Sequence, residues 1–159
     1  PLLSPDGLLF AYLTSDIEAF PKKYIPSIGA IPGNILLTGD LKTGQEREIA
    51  RITERTFGAM AWSLNGENLI LSRQEWQENN LRDTGLVAVS VKYSGEREIV
   101  DLLQPSSITD LFDYSPDGAV LWVNKSLKTS DLILKKRDAA PANILSVLDG
   151  EIKIIGYLK

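Results

Sequence analysis

The stretch DYSPDGAVLW, residues 113–122, combines a tight-turn motif with the start of an apolar run. In Ser-Pro-Asp-Gly, Ser can bond the local backbone and Pro presets the second backbone dihedral, while Asp tolerates the third position and Gly takes a positive φ. The pattern recurs in AWSLNGENLILS, residues 61–72, and in PLLSPDGLLF, residues 1–10. Three copies of one turn indicate a repeated structural unit.

The positions shared by the three copies are the predicted structural turn residues: Ser4, Asp6, Gly7, Ser63, Asn65, Gly66, Ser115, Asp117 and Gly118. Because a turn explains the type and place of the Asp and Asn residues, a calcium-binding or catalytic role is the minority interpretation. Each turn precedes a predicted strand, in residues 8–15, 67–72 and 119–124. An aromatic residue, Trp62 or Tyr114, precedes two of the turns, and we expect it to pack between neighbouring units.

A second shared pattern follows the first two turns. Residues 34–52, NILLTGDLKTGQEREIARI, match residues 85–103, GLVAVSVKYSGEREIVDLL: a strand, a turn closing on Gly44 or Gly95, and a half-solvated strand. In the third copy DLILKKRD, residues 131–138, keeps the third strand, but the later residues depart. There Asp149-Gly150 predicts a hairpin between ILSVL and EIKIIGYL.

The predicted fold is therefore all-β, with units that are four-stranded antiparallel meanders of roughly 50 residues, the blades of a β-propeller. The approximate blades are residues 1–57, 58–108 and 109–159, so about three blades of an incomplete ring or fragment are expected. Since only three residues precede the first turn, the first blade is expected to lack its innermost strand. Lys135-Lys136-Arg137 is expected at a blade edge, where charge discourages pairing.

WSLNGENLILS, YSPDGAVLWVN and the turn Asp40-Leu41-Lys42-Thr43-Gly44 resemble TolB-type propeller repeats. The sequence departs from that pattern where Ser90 replaces the Asp and where the third copy lacks the Gly. The resemblance implies a periplasmic or secreted, non-enzymatic β-propeller that binds proteins or peptides. Similar repeats form the propeller of prolyl-oligopeptidase-like serine peptidases, so the alternative is part of such a propeller, with the catalytic domain absent from this chain.

Composition narrows the function classes. The net charge of −4 does not favour binding to nucleic-acid phosphates. The sequence has neither Cys nor His, which excludes a Ser-His-Asp triad and thiolate or imidazole metal sites built from this chain alone, so we expect no metal or cofactor. No apolar run approaches the ~18 residues of a membrane-spanning helix, so membrane insertion is not expected.

A meander places its first and third turns at one end and its second loop and outgoing link at the other. The predicted long, irregular segments, residues 16–33, 53–57, 74–85 and 104–108, all fall at this second end. The candidate binding residues there are Phe20, Tyr24, Arg55, Glu75, Trp76, Arg82 and Asp110. Burial of the loop aromatics over the core is an equally weighted alternative. Asp110 and Asp113 as channel carboxylates of a propeller enzyme are a third possibility.

The open arc predicts that the chain is a fragment of a longer propeller or that two copies join as a ring. In the ring, residues 151–158 of each copy would complete the first blade of the other. A homodimer or a companion fragment is therefore an expected partner.

Overall fold

The computed structural model of the chain describes residues 1–16, 18, 33–77, 80–93, 95–113 and 119–153. These residues form twelve β-strands in three four-stranded antiparallel sheets, and no α-helix lies among them. Each sheet is a meander whose neighbouring strands follow chain order. The predicted all-β class and the four-stranded antiparallel units are confirmed.

The first sheet contains β1 (Leu2–Leu3), β2 (Leu9–Thr14), β3 (Ile35–Asp40) and β4 (Glu46–Arg51). The second contains β5 (Thr56–Trp62), β6 (Asn68–Gln77), β7 (Asn80–Ser90) and β8 (Glu96–Ser106). The third contains β9 (Ile108–Asp113), β10 (Val120–Lys125), β11 (Thr129–Lys135) and β12 (Ala142–Leu148). The turn end of each sheet holds its first and third turns, and the loop end holds its second connection and outgoing link.

The first turn of the first sheet is built by its own side chains. The Ser4 hydroxyl lies 2.6 Å from Asp6 Oδ1, and its oxygen accepts a 2.9 Å hydrogen bond from the Leu9 amide. The Gly7 amide donates to the Ser4 carbonyl at 2.9 Å, and Gly7 has φ 71°. A side chain at Gly7 would be strained at this dihedral, so the motif requires glycine there.

The second sheet repeats this geometry. The Ser63 hydroxyl lies 2.7 Å from Asn65 Oδ1 and accepts from the Asn68 amide at 2.9 Å, while Gly66 has φ 70°. Asn65 thus does with a neutral amide what Asp6 does with a carboxylate. The third predicted copy, Ser115, Asp117 and Gly118, lies outside the described residues, as does Tyr114.

The difference between Asp6 and Asn65 predicts a pH effect. Hydrogen bonds from the Ser4 hydroxyl and then the Leu8 amide lower the pKa of Asp6. The stabilisation is therefore present above the unfolded-state pKa, about 3.9, and is lost as pH falls through the lower folded-state value. We expect Asp6→Asn to lose less stability than the wild type between about pH 6 and about pH 3, measured as the shift in urea midpoint.

Asn65→Asp is the matched control, because it should gain the acid sensitivity that Asp6→Asn loses. Comparing each variant with the wild type at both pH values cancels the titration of the other carboxylates. Equal acid sensitivity in the wild type and both variants would contradict the assignment.

The third-to-fourth turns correct one predicted correspondence. The Asp40 amide donates to the Gln45 carbonyl at 2.9 Å, and the Ser90 amide donates to the Gly95 carbonyl at 3.1 Å. Gly95 therefore corresponds to Gln45 rather than to Gly44, which has φ 68°. The two glycines that the sequence match makes equivalent therefore occupy different turn positions.

Ser90 nevertheless replaces Asp40 functionally in this turn. Asp40 Oδ1 accepts from the Lys42 and Thr43 amides at 2.8 and 2.7 Å, and these bonds, with that from Thr43 the largest cause, lower the pKa of Asp40. Ser90 Oγ accepts from the Tyr93 amide at 3.2 Å. The departure from the Asp-containing pattern therefore preserves a side-chain acceptor for the turn.

Two apolar cores lie between the sheets. The first joins the first and second sheets and includes Leu36, Leu69 and Val87. Trp62 lies in this core, where its indole Nε1 donates to the Leu2 carbonyl at 3.0 Å. The prediction that an aromatic before the turn packs between neighbouring units is thus confirmed for Trp62. The second core joins the second and third sheets and includes fully buried Trp122.

Several sequence expectations were wrong. Residues 74–77 and 80–85 are not an irregular loop but the paired ends of β6 and β7, and residues 104–106 continue β8. The first sheet keeps the short first strand that was expected to be missing, since Leu2 and Leu3 pair with β2. Residues 151–153 are not strand, and the rest of the predicted second strand of the Asp149-Gly150 hairpin, residues 154–158, lies outside the described residues. Lys135 ends β11, an inner strand rather than an edge, because β11 pairs on both sides.

The third sheet has a shifted register. Leu3 and Trp62, the residues before the first two turns, lie opposite Phe10 and Leu69, each three positions after the turn glycine. In the third sheet Asp113, which is two residues before Ser115, lies opposite Val120, two positions after the turn glycine in the sequence, so the pairing of the two strands differs by two residues. Leu69 and Leu71 of β6 cover the preceding sheet, and their sequence equivalents in β10 are Leu121 and Val123. In β10 the alternate residues Val120 and Trp122 instead lie in the core against the second sheet.

Candidate functional site

The predicted binding segment of the second sheet is a projecting hairpin at the loop end. β6 and β7 remain paired out to Gln77 and Asn80. Glu75 lies opposite Arg82 in this ladder, and Trp76 lies opposite Leu81. Regular pairing holds the backbone here in a defined geometry. The candidate side chains are therefore presented by strands rather than by an irregular loop.

An ion pair ties the hairpin to the link between the first two sheets. Arg55 Nε lies 3.0 Å from Glu75 Oε1, and the two side chains are 48% and 35% exposed. An exposed pair of this kind stabilises by about 0.2–1 kcal/mol. The ion pair holds Glu75 beside the link between the first two sheets. Arg82 lies directly opposite Glu75 on the neighbouring strand. Arg55, Glu75 and Arg82 are thus brought to one region.

A second ion pair bridges over β7. Arg73 Nη2 lies 2.7 Å from Asp101 Oδ1, and the two residues belong to the strands on either side of Gly85. A Cβ at Gly85 would lie 2.8 Å from the Val100 carbonyl oxygen and 3.2 Å from Arg73 Nη2. Glycine at this position therefore leaves the space through which the bridge passes.

Two buried polar residues organise the loop end, and sequence reasoning missed both. Asn34, fully buried, accepts from the Asp16 amide at 2.7 Å and donates to the Ile52 carbonyl at 3.2 Å. Asp83, 2% exposed, accepts the Ile108 amide at 2.6 Å through Oδ2. The only sequence signal is a polar residue close to the apolar part of a strand, which is too common to be decisive.

Asp83 has a clear architectural role. In the first sheet, the Gly33 carbonyl accepts the amide of Phe57, near the start of β5, at 2.8 Å. In the second sheet, the Asp83 carboxylate accepts the amide of Ile108, the first residue of β9. Each bond attaches the first strand of the next sheet to the sheet before it. Asp83 thus positions the third sheet, and with it Asp110.

Asp110 lies in a separate loop-end cavity. This cavity, about 270 Å³, belongs to the third sheet and the residues that follow it, and it is lined by Thr109, Asp110, Lys125, Ser130, Glu151, Ile152 and Lys153. Lys125 Nζ lies 2.7 Å from Glu151 Oε1, and this contact lowers the pKa of Glu151. The Ser130 hydroxyl donates to the Gly150 carbonyl at 2.8 Å. The cavity therefore presents both signs of charge beside neutral hydroxyl groups.

A second cavity lies at the turn end of the second sheet. It measures about 540 Å³ and is lined by Gly66, Glu67, Asn68, Ser90, Val91, Lys92 and Tyr93. Lys92 Nζ is 5.3 Å from the centre of the Tyr93 ring, and Tyr93 is 77% exposed. The turn end thus carries an exposed aromatic residue of its own. Preference for the loop end stays a prediction.

The structure places the predicted binding residues in different surroundings. Arg55, Glu75 and Arg82 gather at the hairpin, where Trp76 is half-buried on β6. Asp110 lines the loop-end cavity of the third sheet. Phe20 and Tyr24 lie outside the described residues, and the side chain of Asp113 is not described. The pairing of Asp110 and Asp113 as channel carboxylates therefore stays a prediction.

The described residues of the loop end carry charged and hydroxyl side chains. Within them, no three Asp, Glu, His or Cys side chains are grouped so that they could hold a metal ion. The same part of the chain contains no helix long and apolar enough to cross a membrane. No protein-family model matches the chain, and no curated protein matches it. The charged groups at the loop end can bind peptide carbonyls, ammonium groups and carboxylates.

Proposed function

We propose that the three sheets are consecutive blades of a β-propeller that acts as a non-enzymatic binding module for a protein or peptide at its loop end. One observation carries the arrangement: the first strands of consecutive sheets contact each other, β1 with β5 and β5 with β9. The sheets meanwhile pack through two apolar cores. Innermost strands that converge while whole blades stack are the geometry of a propeller.

The loop end supports binding over catalysis. Its charged groups include two observed ion pairs, Arg55 with Glu75 and Lys125 with Glu151. The sequence has no His or Cys to serve as a base or a thiol nucleophile. An extended peptide can exchange such exposed ion pairs for contacts with its own charged groups at little cost. The resemblance to TolB-type repeats supports a periplasmic or secreted location.

A panel of short synthetic peptides that differ only in net charge, basic, neutral and acidic, tests this function. Binding is measured by fluorescence anisotropy against the wild type, Glu151→Ala and Glu75→Ala. We expect at least one peptide class to bind and the loop-end variants to weaken it by about tenfold, equivalent to about 1.4 kcal/mol. The reason is that each variant removes a charged group of the proposed surface.

Lys92→Ala and Lys42→Ala are the matched controls, since each removes an exposed charge at the turn end. These controls should bind like the wild type. Loss of peptide binding only in the turn-end variants would overturn the loop-end assignment. Failure of every peptide class to bind would count against a peptide-binding module.

A further inference from the structure

The two cores show which positions of a sheet the next sheet covers. We call the surface facing the next sheet the back face and the opposite surface the front face. On the back face of the first sheet, Leu36 is fully buried. In the second sheet Leu86 has the equivalent ladder position and is also fully buried. Burial of this position follows from the sheet stacked against it.

The third sheet presents an equally apolar back face. Leu132 has the position of Leu36 and Leu86, opposite Val123, and it continues across the ladder to Leu145. Leu121 and Leu134 are the next pair on this face. Val123 is 1% exposed, but Leu132 and Leu134 are only half-buried and Leu145 is 50% exposed. The outer part of the back face is therefore open.

The front face of the first sheet is open in the complementary way. In the second sheet Leu69, Leu71 and Val87 cover the preceding sheet and are buried. The equivalent residues of the first sheet are Phe10, Tyr12 and Leu37, all half-buried, and Leu3 beside Phe10 is 61% exposed. The Phe10 and Tyr12 rings stack at 6.0 Å. An apolar face thus lies at each end of the stack.

We infer that a second copy of this chain occupies these faces, with the back face of the third sheet of one copy packed on the front face of the first sheet of the other. The two open faces are of the two kinds that pair within the chain, so each copy carries both halves of the contact. A two-fold axis generates this contact twice, so that two copies together cover all four of their open faces. Association would bury side chains such as Leu3 and Leu145.

This contact is expected to be more apolar than those within the chain. At the first interface, Arg47 Nη2 donates to the Val91 carbonyl of the next sheet. The equivalent position of the third sheet is Ala142, since Arg47 lies opposite Thr38 and Ala142 lies opposite Leu134. The proposed interface therefore lacks the arginine contact and depends on apolar burial. Its stability should change little with salt concentration.

Light scattering after size exclusion tests the pairing with Leu3→Asp and Leu145→Asp. Both residues are at least half exposed, so the charge should leave the fold intact. The wild type is expected at twice the chain mass of 17.5 kDa. Each variant alone should dissociate at about tenfold higher concentration than the wild type, because a carboxylate would have to be desolvated in both contacts of the pair.

Mixing the two variants gives the sharper result. One contact in the mixed pair joins the intact back face of Leu3→Asp to the intact front face of Leu145→Asp, so mixing should restore association. Leu127→Asp is the control, because Leu127 is fully exposed in the loop between β10 and β11 and should associate like the wild type. A monomeric wild type, no recovery on mixing, or a series of ever larger assemblies would each overturn the proposal.

Discussion

Replacing Trp122 with Ala is expected to destabilise the protein by about 3–5 kcal/mol. Trp122 is fully buried in the core between the second and third sheets, and its Nε1 donates to Asn124 Oδ1 at 3.1 Å. Truncation leaves a cavity between two sheets that cannot collapse without moving one of them. Since a domain is stable by about 5–15 kcal/mol in total, much of the folded population should be lost. Urea unfolding followed by circular dichroism measures the effect.

Two further variants, Trp122→Phe and Trp76→Ala, distinguish the destabilisation caused by this cavity from the effect of removing any tryptophan. Phe retains most of the apolar volume, so its cost should be clearly smaller. Trp76 is half-buried on the projecting hairpin, so its truncation should also cost less. A Trp122→Ala cost below about 1 kcal/mol would contradict the observed burial.

Asp83→Ala is expected to destabilise the protein by about 2–3 kcal/mol and to loosen the third sheet. The substitution removes the charged acceptor of the buried Ile108 amide. That amide would be left without its partner at the first residue of β9, where the third sheet attaches to the second. Hydrogen exchange read by mass spectrometry should be faster in the variant than in the wild type in β9 and β10. This increase should be larger than any increase in the first sheet.

Asp83→Asn is the matched control because it keeps a side-chain oxygen that can accept the Ile108 amide. Its effect on stability and exchange should be less than half that of Asp83→Ala. If both variants behave alike, or if exchange rises equally in all three sheets, Asp83 does not act as the attachment point. The outcome therefore distinguishes a specific bond from a general loss of buried charge.

The local motifs were predictable because their causes lie within a few residues. Ser4, Asp6 and Gly7 hydrogen-bond within one turn, and Ser63, Asn65 and Gly66 repeat the same bonds. Short apolar runs between such turns are sufficient to predict the meanders. The loop-end hairpin was missed because residues 74–83 lack alternating apolar and polar residues. Its pairing resumes beyond an irregularity between Arg73 and Gln74, where the register of the buried part of β6 and β7 changes.

The sequence by itself determined the turns, the strand order within each repeat and the absence of His and Cys chemistry. Only the tertiary structure decided that Trp122 rather than Leu121 faces the second sheet, because packing between the sheets selected which face of β10 is buried there. It also selected Asp83 as the acceptor for Ile108 and gathered Arg55 with Glu75. Those contacts join residues distant in the chain, and local propensity carries no information about which distant groups meet.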